Sequence, residues 1–212
     1  MGGDGRRLPI AGQQAGAGTP AAFSRVVIVS LGAAGGSLAM ALRRAWPEAL
    51  VIGVDRNDVL ESAVRRQAID VGADDLSLIA GGADLVVLSG SAGENRDALS
   101  RLAGAIPGST VITGVCGGAG ADGDDPVDAS ERLTYVGGLL APRPEEAGFE
   151  AASGGLLDGR VWYLASGAAG ADVMDRLQQM VRAVGATPVV VPPDEFTRLV
   201  RAQDRPTGAA DS

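Results

Sequence analysis

The amino-acid sequence predicts an α/β protein with a doubly wound, mostly parallel sheet and extra strands near the C-terminus. Short, continuous apolar runs, which are typical of parallel strands buried on both faces, alternate with segments of helical apolar periodicity. A strand–turn–helix–strand unit also spans residues 25–55 and ends on an acid. This unit has the layout of a dinucleotide-binding βαβ motif, so the fold is expected to be of the Rossmann type.

The turn of this first unit reads Ser-Leu-Gly-Ala-Ala-Gly and places Ser30 where the G-x-G-x-x-G motif has its first glycine. Gly32 would let the backbone approach a pyrophosphate, and Gly35 would let the helix pack closely on the strand. The helix N-terminus, with Ala33 and Ala34, would supply free N–H groups for the phosphates. Asp55 lies twenty residues beyond Gly35, where a carboxylate can accept the ribose hydroxyls.

These residues predict NAD as the cofactor, with NADP possible. The Asp55 carboxylate would repel a 2′-phosphate, whereas the adjacent Arg56 weakens that preference. Ser30 leaves a second interpretation open, because serine adopts a left-handed backbone less readily than glycine. In that interpretation the glycines only make a tight turn and the nucleotide site has been lost.

The remaining elements follow in order. The first strand covers Val26–Val29, and its helix presents Leu38, Leu42 and Trp46 before Pro47 ends it. Further strands are predicted at 50–54, 84–88, 110–115, 133–136, 161–164 and 187–191, and further helices at 57–66, 98–106, 172–184 and 194–201. Residues 1–22 are expected to be a disordered arm, residues 23–202 one Rossmann-like domain and residues 203–212 a disordered tail.

Composition limits the partners and the compartment. A formal charge of −8 and the absence of basic runs argue against nucleic acid and anionic membranes. No apolar run is long enough to span a membrane, and the N-terminus lacks the apolar core of a signal peptide. The single cysteine, Cys116, cannot form an internal disulfide, which fits a reducing cytoplasm.

The chain contains no histidine and no lysine. The commonest general base in enzymes and any Schiff-base chemistry are therefore excluded within the sequence given. The remaining catalytic candidates are Thr113, Cys116 and Glu145, although Cys116 is better interpreted as a small buried thiol and Glu145 with Glu146 as a solvated pair. Asp122, Asp124, Asp125 and Asp128 lack the spacing of a calcium loop, so no metal site is expected.

Several segments together resemble the nucleotide-binding domain of prephenate and arogenate dehydrogenases. The resemblance runs from about residue 25 to residue 201 and rests on segments that occur in order at matching spacings: RVVIVSLGAAGGSLAMALRR, VIGVDRN, AIDVGADDL, ADLVVL, AIPGSTVIT, ERLTYVGG, GFEAA, LLDGRVWYL and VRAVGATPVVVPPDEFTRLV. It implies NAD(P)-dependent oxidation of a cyclohexadienol with loss of carbon dioxide.

The departures from the family pattern are concentrated at the catalytic positions. The family's catalytic His-Pro after Gly137-Gly138 is replaced by Leu139-Leu140, and its Asp, Ser and Lys positions after the fifth strand become Gly114, Gly117 and Ala119. The family's Pro-Asp-x-His is Pro-Asp-Glu-Phe here, ending at Phe196, and its helical domain would lie beyond the last residue. Ordinary prephenate oxidation is therefore not expected.

The mouth of the fold is expected to place Ser89 and Gly90 at the cofactor and Ser91, Leu139, Leu140 and Arg143 at a substrate pocket. Tyr135 and Trp162 are expected in the core. Three functions remain open: a diverged oxidoreductase for a more apolar small molecule, with secondary metabolism as one setting; a non-redox cyclase or isomerase; and a catalytically inactive nucleotide-sensing or partner-binding module. A homodimer is possible in each case.

Overall fold

The computed structural model describes residues 20–76, 82–103, 105–106, 109–116, 134–141, 147–167 and 169–203. The predicted N-terminal arm and C-terminal tail lie mostly outside these residues. The strands are β1 (Arg25–Val29), β2 (Leu50–Val54), β3 (Val71–Ala73), β4 (Leu85–Leu88), β5 (Val111–Gly114), β6 (Thr134–Val136), β7 (Gly138–Leu140), β8 (Val161–Ala165) and β9 (Thr187–Val191). The helices are α1 (Ala33–Ala45), α2 (Asn57–Arg65), α3 (Ala92–Leu102), α4 (Ala171–Ala183) and α5 (Pro193–Gln203), with a 3₁₀ turn at Phe149–Ala151.

The first six strands form one parallel sheet in the order β3-β2-β1-β4-β5-β6. The order reverses between β1 and β4, which creates the crevice where open α/β sheets bind ligands. Val29 is in register with both Val54 and Leu88. The next residue of each strand, Ser30, Asp55 and Ser89 respectively, therefore lies at the same edge of the sheet, above this crevice.

The C-terminal strands form a second, three-stranded sheet in the order β7-β8-β9, with β7 antiparallel to β8 and β8 parallel to β9. The predicted extra strands are present, but the strands predicted from the sequence did not include β7 or β3. Both are three-residue strands, too short to carry a periodic signal. The two sheets are joined where the Leu140 N–H donates to the Val115 carbonyl (2.8 Å) and Cys116 forms an antiparallel bridge with Leu139.

The core has a layer on each face of the large sheet. One layer packs Val27, Ile52, Val86, Leu99 and Ile112 together. The other is shared between the two sheets, because side chains from β1 and α1 cluster with Trp162 and Leu164 of β8 and with the apolar face of α4.

The two aromatic residues predicted for the core are both placed there. Trp162 is fully buried, and Tyr135 is partly buried against the layer that contains Ile112. Burial raises the pKa of Tyr135 to about 12, so its phenol is neutral at physiological pH.

Among the described residues, no helix has the length and apolar character needed to cross a membrane.

Candidate nucleotide-binding cleft

A cleft of about 680 Å³ opens at the crevice between β1 and β4. It combines the turn after β1, the residues after β2 and β4, and a segment that arrives from the second sheet. The lining residues are Ser30, Leu31, Gly32, Asp55, Arg56, Val59, Ser89, Gly90, Ser91, Glu94, Cys116, Ala147, Gly148 and Phe149. Most of the predicted cofactor residues therefore lie together in one cleft.

Ser30 adopts a left-handed backbone with φ of 69°. This conformation costs a residue other than glycine about 1–3 kcal/mol, so the turn keeps its glycine-type geometry despite the serine. The Ser30 N–H donates to the Val54 carbonyl (2.9 Å), and the Ser30 carbonyl accepts from the Ser89 hydroxyl. Neighbouring strands hold the serine in place on both sides.

Gly32 and Gly35 serve different purposes in the turn. A Cβ on Gly32 would meet no atom within 4 Å, so that position faces open space in the cleft. A Cβ on Gly35 would lie 2.2 Å from both the Ser30 carbonyl oxygen and the Ser89 hydroxyl oxygen. Gly35 is therefore needed for the close packing of α1, whereas Gly32 leaves room for a ligand.

The N-terminus of α1 suits an anion. Gly32 is its N-cap and offers no side-chain hydrogen bond, and no acidic residue occupies the first turn. The N–H groups at the start of the helix and the positive end of its dipole therefore face the cleft without competition from a cap. Ala33 and Ala34, which the sequence assigned to the cofactor site, form this first turn.

Asp55 is held by backbone donors on both carboxylate oxygens. Leu31 N–H donates to Oδ2 (2.6 Å) and Arg56 N–H donates to Oδ1 (2.7 Å). Each oxygen retains a second lone pair, so the carboxylate can still accept ribose hydroxyls. The Arg56 guanidinium is exposed and lies 3.6 Å from Asp58, which directs part of its charge away from the cleft.

The loop after β4 forms the opposite wall. Ser91 caps α3 in a capping box with Glu94: the Ser91 N–H and hydroxyl both donate to Glu94 Oε2 at 2.8 Å. The hydrogen bonds from the Ser91 backbone and then its side chain lower the pKa of Glu94, so the carboxylate is ionised at neutral pH. Asp55 and Glu94 outnumber Arg56 among the charged residues that line the cleft, so the N-terminus of α1 is the part of the lining best suited to an anion.

A strap, defined as residues 147–153, forms the third wall and was not predicted as part of the site. Gly148 and Phe149 line the cleft. The Phe149 ring packs so closely on Gly36 that a Cβ at position 36 would lie 2.6 Å from it. The Arg66 guanidinium stacks over that ring (5.0 Å) and donates to the carbonyls of Phe149 (3.0 Å) and Ala152 (2.7 Å). The only sequence signal was the segment GFEAA within the family resemblance.

Of the three catalytic candidates, the structure describes Thr113 and Cys116, and only Cys116 lines the cleft. Thr113 is fully buried, and its hydroxyl has no hydrogen-bond partner among the described residues. Cys116 is exposed and lines the cleft, so the expectation of a small buried thiol was wrong; the residue directly follows β5, where the chain reaches the edge of the sheet. Glu145, Arg143 and the aspartates at 122, 124, 125 and 128 lie outside the described residues.

Leu139 and Leu140 do not line the cleft. Leu139 is 1% exposed and packs with Phe196, Leu199 and Val200 of α5, while Leu140 is 5% exposed and belongs to the shared core. The expected apolar wall facing a ligand is thus replaced by interior packing. The cause is that α5 covers β7 and β8, and the Gln203 side chain donates to the Leu140 carbonyl (3.0 Å).

No grouping of three or more histidine, cysteine or acidic side chains suited to a metal occurs in the part of the chain that the structure describes.

Comparison with known proteins places this geometry in a family. The family model of the prephenate dehydrogenase nucleotide-binding domain matches residues 38–190, which is most of the chain. The chain belongs to this family. The matched range begins within α1 and includes Asp55, whereas the turn at residues 30–35 lies outside it. No curated protein matches the sequence.

Solved structures of the prephenate dehydrogenase family share the fold. Synechocystis arogenate dehydrogenase superposes with a TM-score of 0.73 at 22% identity, over 81% of this chain and 61% of that one. Prephenate dehydrogenase from Aquifex aeolicus, solved with hydroxyphenyl propionate and NAD⁺, gives 0.71 at 23% identity, over 82% and 61%. Mycobacterium tuberculosis 3-hydroxyisobutyrate dehydrogenase gives 0.62 at 14%, over 79% and 54%. The chain therefore spans less than two thirds of each of these proteins.

Proposed function

We propose that this chain binds NAD in the cleft between β1 and β4 and supports hydride transfer with a small molecule other than prephenate. The observation that carries the nucleotide part is the row formed by Ser30, Asp55 and Ser89 at one sheet edge, with Gly32 open beside the uncapped helix α1. These groups fit a dinucleotide: backbone N–H groups for the pyrophosphate and a fixed carboxylate for the adenosine ribose.

NAD is favoured over NADP because Asp55 lines the cleft with its carboxylate fixed by two backbone N–H groups, and because Arg56 is shared with Asp58. A 2′-phosphate beside Asp55 would meet a like charge without a fully available cation. When bound, the dinucleotide would supply the hydride acceptor or donor, while the protein would orient it and exclude water.

The proposal of a different substrate rests on Leu139. Leucine cannot hold a substrate hydroxyl or take its proton, and here the side chain is buried under α5 rather than directed into the cleft. The lining beyond the nucleotide groups includes Cys116, Ala147 and Phe149, which favours a ligand of apolar character over a dicarboxylate.

The same burial of Leu139 favours a second candidate, a nucleotide-binding module without redox chemistry. The two candidates share the nucleotide site and differ in whether bound NADH is consumed. A non-redox cyclase or isomerase would share the absence of NADH consumption and would be recognised by product analysis.

The test begins with thermal unfolding in the presence of millimolar NAD, NADH, NADP and NADPH, followed by calorimetric titration. A ligand at 100 times its Kd stabilises the fold by about 2.7 kcal/mol, which raises Tm by several degrees at this size. We expect a shift with NAD and NADH that exceeds the shift with the phosphorylated forms. The absence of a shift with all four nucleotides would contradict the proposal.

An Asp55→Ala variant should weaken NAD binding by about 1–3 kcal/mol, since ribose hydroxyls and two backbone donors lose their acceptor. Glu61→Ala is the matched control, because Glu61 is an exposed carboxylate on α2 outside the cleft. Affinity is measured by titration well below the Tm of each variant. Equal NAD affinity in Asp55→Ala and wild type would remove Asp55 from the site.

The substrate part is tested by NAD reduction with prephenate and arogenate. We expect no turnover by the wild type or by Leu139→His, since a histidine added at 139 would still lack the family's Ser and Lys at 117 and 119. Detectable turnover in either protein would contradict the proposed change of substrate. Consumption of NADH with an apolar carbonyl compound would support the redox candidate over the binding module.

A further inference from the structure

The left-handed backbone of Ser30 requires a restraint that a glycine at that position would not need. The residue lies at the start of the turn that presents Gly32 and the helix N-terminus to the cleft. If Ser30 relaxed to a negative φ, the direction of the chain into α1 would change. The contacts that hold Ser30 therefore also hold the nucleotide-binding turn.

One side chain supplies this restraint on the carbonyl side. The Ser89 hydroxyl donates to the Ser30 carbonyl and also lies 3.0 Å from the Val29 carbonyl, so a single hydroxyl is shared between two successive backbone acceptors. Ser89 is itself fixed, because its N–H donates to the Val29 carbonyl (3.0 Å) and its side chain is buried. The hydroxyl thus has little freedom to leave the turn.

Gly35 and Gly90 pack closely against the two serine side chains, so neither position has room for a Cβ. A Cβ on Gly35 would lie 2.2 Å from the Ser89 hydroxyl oxygen, and a Cβ on Gly90 would lie 2.8 Å from the Ser30 hydroxyl oxygen. The Ser30 side chain therefore uses the room that Gly90 leaves. Ser30, Gly35, Ser89 and Gly90 fit together as one packed unit.

We propose that Ser89 is a positioning residue for dinucleotide binding. Its hydroxyl donates to the Ser30 carbonyl, holds Ser30 in the left-handed conformation and so keeps the turn in its binding geometry. The inference rests on the proposed function for its ligand. It also predicts a specific coupling: the hydroxyl of Ser89 matters because residue 30 is a serine, and a glycine there would make it largely dispensable.

The experiment is a double-mutant cycle of Ser89→Ala, Ser30→Gly and the double variant, with NAD affinity measured by titration. Ser89→Ala alone should weaken NAD binding about five-fold, the effect of one net hydrogen bond. In the Ser30→Gly background the same change should weaken it less than about two-fold. Ser100→Ala, which removes a hydroxyl bonded to the Arg96 carbonyl on the exposed face of α3, is the control and should leave affinity unchanged.

All variants are compared at a temperature where they are folded. Rescue of NAD affinity by Ser30→Gly then distinguishes positioning from general structural damage, because damage caused by Ser89→Ala would persist in the glycine background. Equal losses of NAD affinity in the serine and glycine backgrounds would overturn the inference. Urea unfolding of the same four proteins measures the coupling without nucleotide. Coupling there together with no NAD binding by the wild type would support the role of Ser89 in the turn and contradict only the proposed function.

Discussion

Gly32 and Gly35 belong to the same turn but differ in the space around their Cα atoms. The Cβ of a residue at 35 would overlap backbone and side-chain oxygens at 2.2 Å, whereas that of a residue at 32 would enter empty space. Gly32 also has φ of −65°, which any residue adopts. We therefore expect the two glycines to meet different requirements, close packing at 35 and access for a ligand at 32.

Substituting each glycine separates these roles. Gly35→Ala should lower the free energy of unfolding by about 1–3 kcal/mol or more, because α1 must move away from β1. Gly32→Ala should change that free energy by less than about 0.5 kcal/mol yet weaken NAD binding about ten-fold. Urea unfolding and NAD titration measure the two quantities. A stable Gly35→Ala variant, or a Gly32→Ala variant with wild-type affinity, would contradict this assignment.

Among the structural elements, the strap at 147–153 connects the second sheet to the candidate cleft. Besides the Arg66 contacts, the Ser153 N–H donates to the Ser37 hydroxyl on α1 (2.9 Å), and Ser62 on α2 donates to Glu150 (3.3 Å). Both helices that flank β1 and β2 thus hold the segment that carries Phe149. The strap is therefore held by residues of α1, α2 and Arg66 that lie about 80 to 120 positions before it in the sequence.

Arg66→Ala should release this strap while the sheet remains folded. The loss of two hydrogen bonds to carbonyls and of a partly exposed cation–π contact should reduce the free energy of unfolding by about 1 kcal/mol and weaken NAD binding several-fold. Arg198→Ala is the matched control, since the Arg198 side chain pairs on the surface of α5 with Asp194 and contacts no residue of the strap in the described hydrogen bonds. Unchanged NAD affinity in Arg66→Ala would show that the strap does not shape the site.

At the scale of the whole molecule, the two sheets share one core layer. Trp162 and Leu164 of the second sheet are in the same buried cluster as Ile28, Leu38 and Trp46 of the first βαβ unit. A core common to both sheets predicts that they unfold together, because neither can keep its apolar face covered alone.

The two tryptophans of the chain report on the two halves separately. Trp46 follows α1 and Trp162 lies in β8, so the single-tryptophan variants Trp162→Phe and Trp46→Phe isolate each signal. In each variant, urea unfolding followed by fluorescence should have the same midpoint as unfolding followed by circular dichroism. A fluorescence midpoint that differs from the circular dichroism midpoint of the same protein would indicate that the sheets unfold independently.

Local sequence signals were sufficient for the fold and for most of the residues that meet in the candidate cleft. Apolar runs identified β1, β2, β4, β5, β8 and β9 to within a residue or so, because a strand buried on both faces requires a continuous apolar segment. The turn and Asp55 were predicted from spacing alone, since a βαβ unit fixes how far the second strand's end lies from the glycines.

Long-range packing determined the remainder. The backbone angle of Ser30 depends on contacts with β2 and β4, and the place of Phe149 in the cleft depends on an arginine 83 positions away. The exposure of Cys116 and the burial of Leu139 depend on how the second sheet and α5 meet the first sheet. Periodicity and spacing carry information about a residue's own element, whereas these four properties belong to contacts between elements distant in the chain.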